Sequence, residues 1–170
     1  MGDGSMRCKT NALLEINHSL EQKSYVDWKY ENLKNLVRTP PKARRGNERR
    51  IAYRFTTLSL PELTGFYRRF YRGGRKQIPE DLDLSPRTLA VWFMDDGCKS
   101  YRALYLNTQQ FAVPEQRRLE ELLGGKYGIR TSLNRDKQYH RIRISVSSVP
   151  RFKEIVKSHI LPELKYKFPG

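Results

Sequence analysis

Hydrophobic and polar positions alternate most clearly in two short stretches of the chain. In IAYRFTT (51–57), Ile51, Tyr53 and Phe55 fall on one face, and Arg50, Ala52 and Arg54 on the other. In RIRISV (141–146), Ile142, Ile144 and Val146 oppose Arg141, Arg143 and Ser145. Both patterns predict strands with one apolar and one cationic face. Residues 105–108 read as another strand. Helical spacing occupies much of the remainder. Leu20 to Leu36 carries an apolar stripe of Leu20, Trp28, Leu33 and Leu36, joined by Tyr25 and Val26. Pro61 predicts the start of a helix to Tyr71, with Ser59 as a capping candidate. Ser85 and Pro86 predict the cap and first residue of a helix through LAVWFMDD, stopped by Gly97. Further helices are expected from Pro114 to about Tyr127–Gly128 and from Pro150 to His159. Residues 37–50, VRTPPKARRGNERR, read as a loop or hairpin tip, and RGGRKQIP (72–79) as a second break.

The pattern occurs twice. MGDGSM (1–6) is echoed by MDDGCK (94–99); LLEINHS follows the first and LYLNTQQ the second. Each half then has a helix, a basic hairpin and another helix, and closes on RKQIP or KYKFP. The spacing agrees: 73 residues separate Asp3 from Lys76, and 71 separate Asp96 from Lys167. Agreement in order and spacing argues for an internal duplication. The expected class is α+β: two αββαββα repeats, residues 1–79 and 80–170, the first lacking most of its opening helix.

Charge narrows the partner. The 170 residues include 33 Lys+Arg against 18 Asp+Glu, a formal +15. Hydrophobic residues at 38% suffice for a core, so the charge does not imply disorder. Such a surplus points to a polyanion, nucleic acid first. No apolar run is long enough for a membrane span. Cys8 and Cys98 are too few for a zinc site and read as reduced thiols. With no signal or transit segment, the expected compartment is cytoplasmic, nucleoid or organellar, and not secreted. His18, His140 and His159 lack ligand spacing and read as surface or core residues.

LAVWFMDDG (89–97) resembles the signature helix of the LAGLIDADG homing endonucleases, and MGDG (1–4) resembles the tail of a first copy. RKQIPEDLDLSPRTLAVWFMDDGCKS, LYLNTQQF and LPELKYKFP follow in the order of the single-chain, two-repeat, intron-encoded branch. The resemblance spans residues 1–169. It implies a pseudo-twofold fold with a saddle-shaped antiparallel DNA-binding sheet. It also implies an endonuclease making double-strand breaks in a long, pseudo-palindromic site. Asp3 and Asp96 would coordinate Mg²⁺, for which Mn²⁺ can substitute, between the scissile phosphates. Gly2 and Asp95 join the metal set, although the Asp95 side chain faces elsewhere on the helix. Lys76 and Lys167 match the lysines that flank the family's active sites, and Gln109 matches a polar position nearby.

The cationic strand faces suit a DNA major groove, so Arg50, Arg54, Arg141 and Arg143 are expected to read bases. Lys42, Arg44, Arg45, Arg135 and Lys137 are expected on phosphates. Arg7, Lys9, Lys99 and Arg102 complete the expected DNA surface. The partner is double-stranded DNA, with intron RNA as the alternative. The rival readings are an intron maturase, a cleavage-deficient DNA-binding relative, and an rRNA-binding protein. Absence of the first signature helix predicts that the apolar face of LAVWF is left uncovered, unless residues before Met1 or another chain supply a cover. Otherwise a monomer is expected.

Overall fold

The computed structural model describes residues 2–45 and 51–169. The chain divides into two compact units. One comprises residues 3–75; the other comprises residues 76–169 together with Gly2. Among the described residues no helix is long and apolar enough to cross a membrane.

In the 3–75 unit, β1 (Ser5–Cys8) and β2 (Ala12–Ser19) form a hairpin, followed by α1 (Lys23–Leu33), β3 (Lys42–Arg45), β4 (Ile51–Thr56) and α2 (Pro61–Phe70). Short 3₁₀ turns flank α1, so helical geometry runs from Leu20 to Leu36 as the stripe predicts. The antiparallel sheet is ordered β1-β2-β4-β3. Cross-strand pairs Ile16–Phe55 and His18–Tyr53 set the helix-facing side. There Ile16, Phe55 and Val26 of α1 form a buried cluster, with Leu14, Tyr30 and Leu33 packed on it. The other side carries Asn17 opposite Arg54, and Lys42 opposite Arg54 from the far edge. A short hairpin, β5 (Tyr71–Arg72) and β6 (Arg75–Lys76), leads out of this unit.

The 76–169 unit uses α3 (Pro86–Asp96), β7 (Gly97–Ser100), β8 (Ala103–Leu106), α4 (Val113–Tyr127), β9 (Thr131–Asp136), β10 (Tyr139–Ile144) and α5 (Val149–Val156). Its sheet order, β7-β8-β10-β9, repeats the first, second, fourth, third order of the other unit. Ile142 pairs with Leu106 and Ile144 with Leu104, and all four are buried. Arg141 and Arg143 point to the opposite side, as the alternation requires. Three 3₁₀ turns (146–148, 157–159 and 162–167) complete the unit.

Several expectations need correction. β3 lies in the stretch read as a loop. All four of its residues are exposed, so it has no apolar face to announce it. Arg45 pairs with Ile51, whereas Lys42 and Arg44 share the face of Arg54. Ser59 does not cap α2, because its hydroxyl donates to the Asn11 carbonyl at 2.8 Å. β10 ends at Ile144, and Val146, itself exposed, begins a 3₁₀ turn. Arg50 lies outside the described residues.

Ser85 does cap α3, accepting from the Thr88 N–H at 3.1 Å. Gly97 ends α3, but not in the left-handed conformation of a usual glycine stop: its φ is −81° and ψ 144°. A Cβ there would come within 2.2 Å of Phe93 Cδ2 and 2.4 Å of the Phe93 carbonyl oxygen. Glycine is required by close packing, not by backbone twist. The left-handed stop occurs instead at Gly128, after α4, with φ 65°.

The apolar face of α3 is not uncovered. Leu89, Ala90, Trp92, Phe93 and Met94 are all buried. Within the unit, Phe93 meets Phe152 of α5 edge-on at 5.1 Å and Phe168 at 4.7 Å. Phe152 of α5 and Phe168 of the C-terminal segment thus cover the helix at Phe93, which the apolar count of LAVWF alone does not reveal.

Tyr101 sits in the two-residue turn between β7 and β8, 97% exposed with φ 56°. A bulky residue in the left-handed region costs about 1–2 kcal/mol, partly offset in a glycine variant by backbone entropy. Tyr101→Gly is therefore expected to stabilise the protein by up to about 1 kcal/mol, read from denaturant midpoints.

Candidate active site

α3 delivers two carboxylates at its last turn, Asp95 and Asp96. This is the unfavourable end of a helix for negative charge, since the dipole there is also negative. The local bonds respond to that charge. The Gly2 N–H donates to Asp96 Oδ2 at 2.8 Å. The Lys167 ammonium donates to the Met94 carbonyl at 2.5 Å and the Asp95 carbonyl at 3.3 Å, covering helix-end acceptors. The Lys76 ammonium donates to the Gly2 carbonyl at 2.8 Å.

These lysine bonds repeat. Gly2 immediately precedes Asp3 in the chain, and Asp95 immediately precedes Asp96. In each half of the duplication, the closing lysine reaches the carbonyl of the residue before the acid. Each such carbonyl is a hard oxygen that attracts a cation, here an ammonium. Gly2 itself has φ +81°, and a Cβ on it would fall 2.2 Å from Asp95 Oδ2. Only glycine allows the backbone this close to the acid. The donor set is carboxylate and carbonyl oxygen, which suits Mg²⁺ or Mn²⁺ and does not suit softer metals.

Asp3 belongs to the other unit. Its carboxylate is 43% exposed and lies 3.5 Å from Nδ1 of His18. Gln109 is engaged elsewhere, its Nε2 donating to Asp136 Oδ2 at 2.8 Å. Both cysteines are free thiols.

The polar sheet faces carry the cations. In the 3–75 unit a 540 Å³ groove is lined by Arg7, Arg38, Lys42, Arg44 and Arg54, with Glu15 among them. Arg7 is held by Glu15 at 2.8 Å. Lys9 is exposed in the β1–β2 turn. Arg38 escapes a sequence reading because nothing in VRTPP marks it as facing the sheet.

In the 76–169 unit the guanidinium of Arg141 stacks over the Tyr105 ring at 4.3 Å. Arg143 pairs across strands with Tyr105 and Ser132. Tyr105 was legible only as a strand residue; its use as a platform depends on the β8–β10 register. Arg102 is exposed in the β7–β8 turn. Arg135 Nε donates to the Lys137 carbonyl at 2.9 Å in the β9–β10 hairpin, where Lys137 has φ 55°. Lys99 pairs with buried Leu104, which places it on the helix side of the sheet edge, away from Arg143.

The profile of the LAGLIDADG DNA endonuclease family matches residues 1–152. The chain belongs to the LAGLIDADG DNA endonuclease family. The structure of the homing endonuclease I-WcaI bound to its DNA recognition sequence superposes with a TM-score of 0.90 and 26% identity, covering 99% of this chain and 82% of that one. I-DmoI, in complex with target DNA nicked in one strand and in the presence of Mn, shares the fold at a TM-score of 0.58 and 12% identity, covering 93% of this chain and 89% of that one. The cytochrome b mRNA maturase bI2 of Saccharomyces cerevisiae is 32% identical over 171 residues. That match takes in 94% of this chain but spans only 39% of the maturase.

Proposed function

We propose that this chain is a site-specific DNA endonuclease that hydrolyses one phosphodiester on each strand of a long, pseudo-palindromic duplex site. Asp3 and Asp96 are the acids that would hold Mg²⁺, with Gly2 and Asp95 supplying neighbouring oxygens. The observation that carries the reading is the repeated bond from Lys76 and Lys167 to the carbonyl preceding each acid. A cation already favours both positions, and both lie beside a carboxylate.

When bound, the metal supplies Lewis acidity and a lowered pKa for an attacking water. The chain supplies the rest. Asp96 is oriented by the Gly2 N–H, which donates to its Oδ2. Lys76 and Lys167 offset negative charge that develops on the phosphates. Arg54 with Lys42 and Arg44, and Arg141 with Arg143, face the duplex from the polar sides of their sheets. Arg141 lies over the Tyr105 ring, a contact that restricts its side chain before DNA arrives.

A randomised duplex library incubated with Mg²⁺ tests this directly. Expected is one enriched, semi-symmetric motif cut with short 3′ overhangs, and no cutting when Ca²⁺ replaces Mg²⁺. A second reading, an intron maturase that binds RNA, is favoured by the similarity to bI2. Enrichment of structured RNA over duplex DNA without cleavage would replace the first reading by the second.

The basic groove gives a further expectation. Lys42→Gln should weaken DNA binding evenly across sequences and lower the slope of log K against log salt by about 1. Titrations of random and selected duplexes at several salt concentrations measure this.

A further inference from the structure

The site described so far does not use a polar cluster beneath Asp3. His18 lies on β2, opposite Tyr53, on the helix-facing side of the sheet. Its side chain is only 2% exposed. Lys29 of α1 is also buried, at 6%. Its Nζ lies 3.0 Å from His18 Nε2 and 4.2 Å from the centroid of the Tyr25 ring. Tyr25 in turn meets the imidazole edge-on at 5.4 Å. A lysine over an aromatic face is the arrangement of an ammonium, attracted by the ring quadrupole.

An ammonium has three donors and no acceptor. His18 Nε2 must therefore accept from Lys29, which leaves the imidazole hydrogen on Nδ1. That nitrogen lies 2.8 Å from Gln22 Oε1 and 3.5 Å from Asp3 Oδ2. The ring plane is fixed by Gln22, its tautomer by Lys29, and its N–H edge by the requirement to face acceptors.

We propose that His18 is a positioning residue for Asp3, with Lys29 as the group that fixes which imidazole nitrogen carries the hydrogen. The inference rests on the reading of Asp3 as a metal-holding acid and deepens it. An N–H edge beside Oδ2 attracts that oxygen and biases the direction of the carboxylate. Outer partners of this kind commonly account for about 10–100-fold in metal affinity or activity. A merely structural network would fix the ring without any dependence of Asp3 on the N–H.

The test combines a spectroscopic readout with a variant series. In the metal-free protein, ¹⁵N-imidazole spectra should show His18 with hydrogen on Nδ1 and none on Nε2, and Lys29→Met should lose that single-tautomer signature. His18→Leu with Lys29→Met removes the donor and the buried charge together. It is expected to fold with little change in melting temperature but to lose about 10–100-fold in Mn²⁺ affinity and in nicking rate. His18→Asn with Lys29→Met returns an N–H near the Nδ1 position and should recover most of both.

A wild-type ring with hydrogen on Nε2, or on both nitrogens, overturns the proposal. So does equal activity in the Leu and Asn double variants. Asp3→Asn separates the two levels. If it abolishes nicking while the Leu double variant nicks normally, the positioning role alone fails. If Asp3→Asn nicks normally, the metal reading of Asp3 fails and takes this role with it.

Discussion

Asp96→Asn should give a folded protein that still binds duplex DNA and cleaves neither strand, with the nicking rate reduced about 10³-fold or more. The size follows from losing a charged ligand at a Lewis-acid site, where several kcal/mol of transition-state stabilisation are involved and each 1.36 kcal/mol is tenfold in rate. The direction of the stability change separates this from a structural role. Asp96 is a negative charge at the negative end of α3, so neutralising it removes an unfavourable interaction. Asn retains an oxygen to accept the Gly2 N–H, which now donates to Asp96 Oδ2. Melting temperature should therefore hold or rise slightly while cutting disappears. A variant that unfolds several degrees earlier and keeps proportionate activity would instead make Asp96 a structural residue. Calorimetry and a nicked-plasmid assay on the same preparation decide between them.

Part of the geometry around these acids is legible in the sequence because duplication places like residues at matched intervals. The Asp3–Lys76 and Asp96–Lys167 spacings anticipate the pair of lysine-to-carbonyl bonds. Alternation in RIRISV anticipates the sides on which Arg141 and Ile142 lie, since a strand has no other way to distribute them. What stayed illegible depends on contacts between distant segments. Lys42–Arg45 carries no apolar face because it is an edge strand exposed throughout, so its pattern is that of a loop. His18 reads as an unremarkable core or surface histidine until β2 and α1 pack and bring Lys29 to its Nε2. Gly97 reads as an ordinary helix stop, while its cause is the Phe93 ring against its backbone.

Phe93→Ala is the second large effect expected, and it joins the core to the site. Phe93 is fully buried on α3 between Phe152 and Phe168, with ring separations of 5.1 and 4.7 Å. Truncation removes the transfer free energy of the ring and leaves a cavity that rigid neighbours close only in part. Together these should cost about 3–5 kcal/mol, a large share of the roughly 5–15 kcal/mol that holds a typical domain folded. The loss should be larger than at an exposed aromatic such as Phe66, which makes a suitable control. The effect should also reach the chemistry. Phe168 directly follows Lys167, and it holds position through Phe93 and through Phe152 at 6.3 Å. Without Phe93 the C-terminal segment loses its main ring contact, and the Lys167 ammonium its fixed reach to the Met94 and Asp95 carbonyls. At a temperature where the variant is still folded, nicking should fall further than the folded fraction accounts for, while DNA affinity follows the folded fraction. Phe93→Leu fills most of the volume and should restore stability more completely than it restores cleavage. If both variants lose cleavage only in step with unfolding, Lys167 is held by something other than this aromatic cluster.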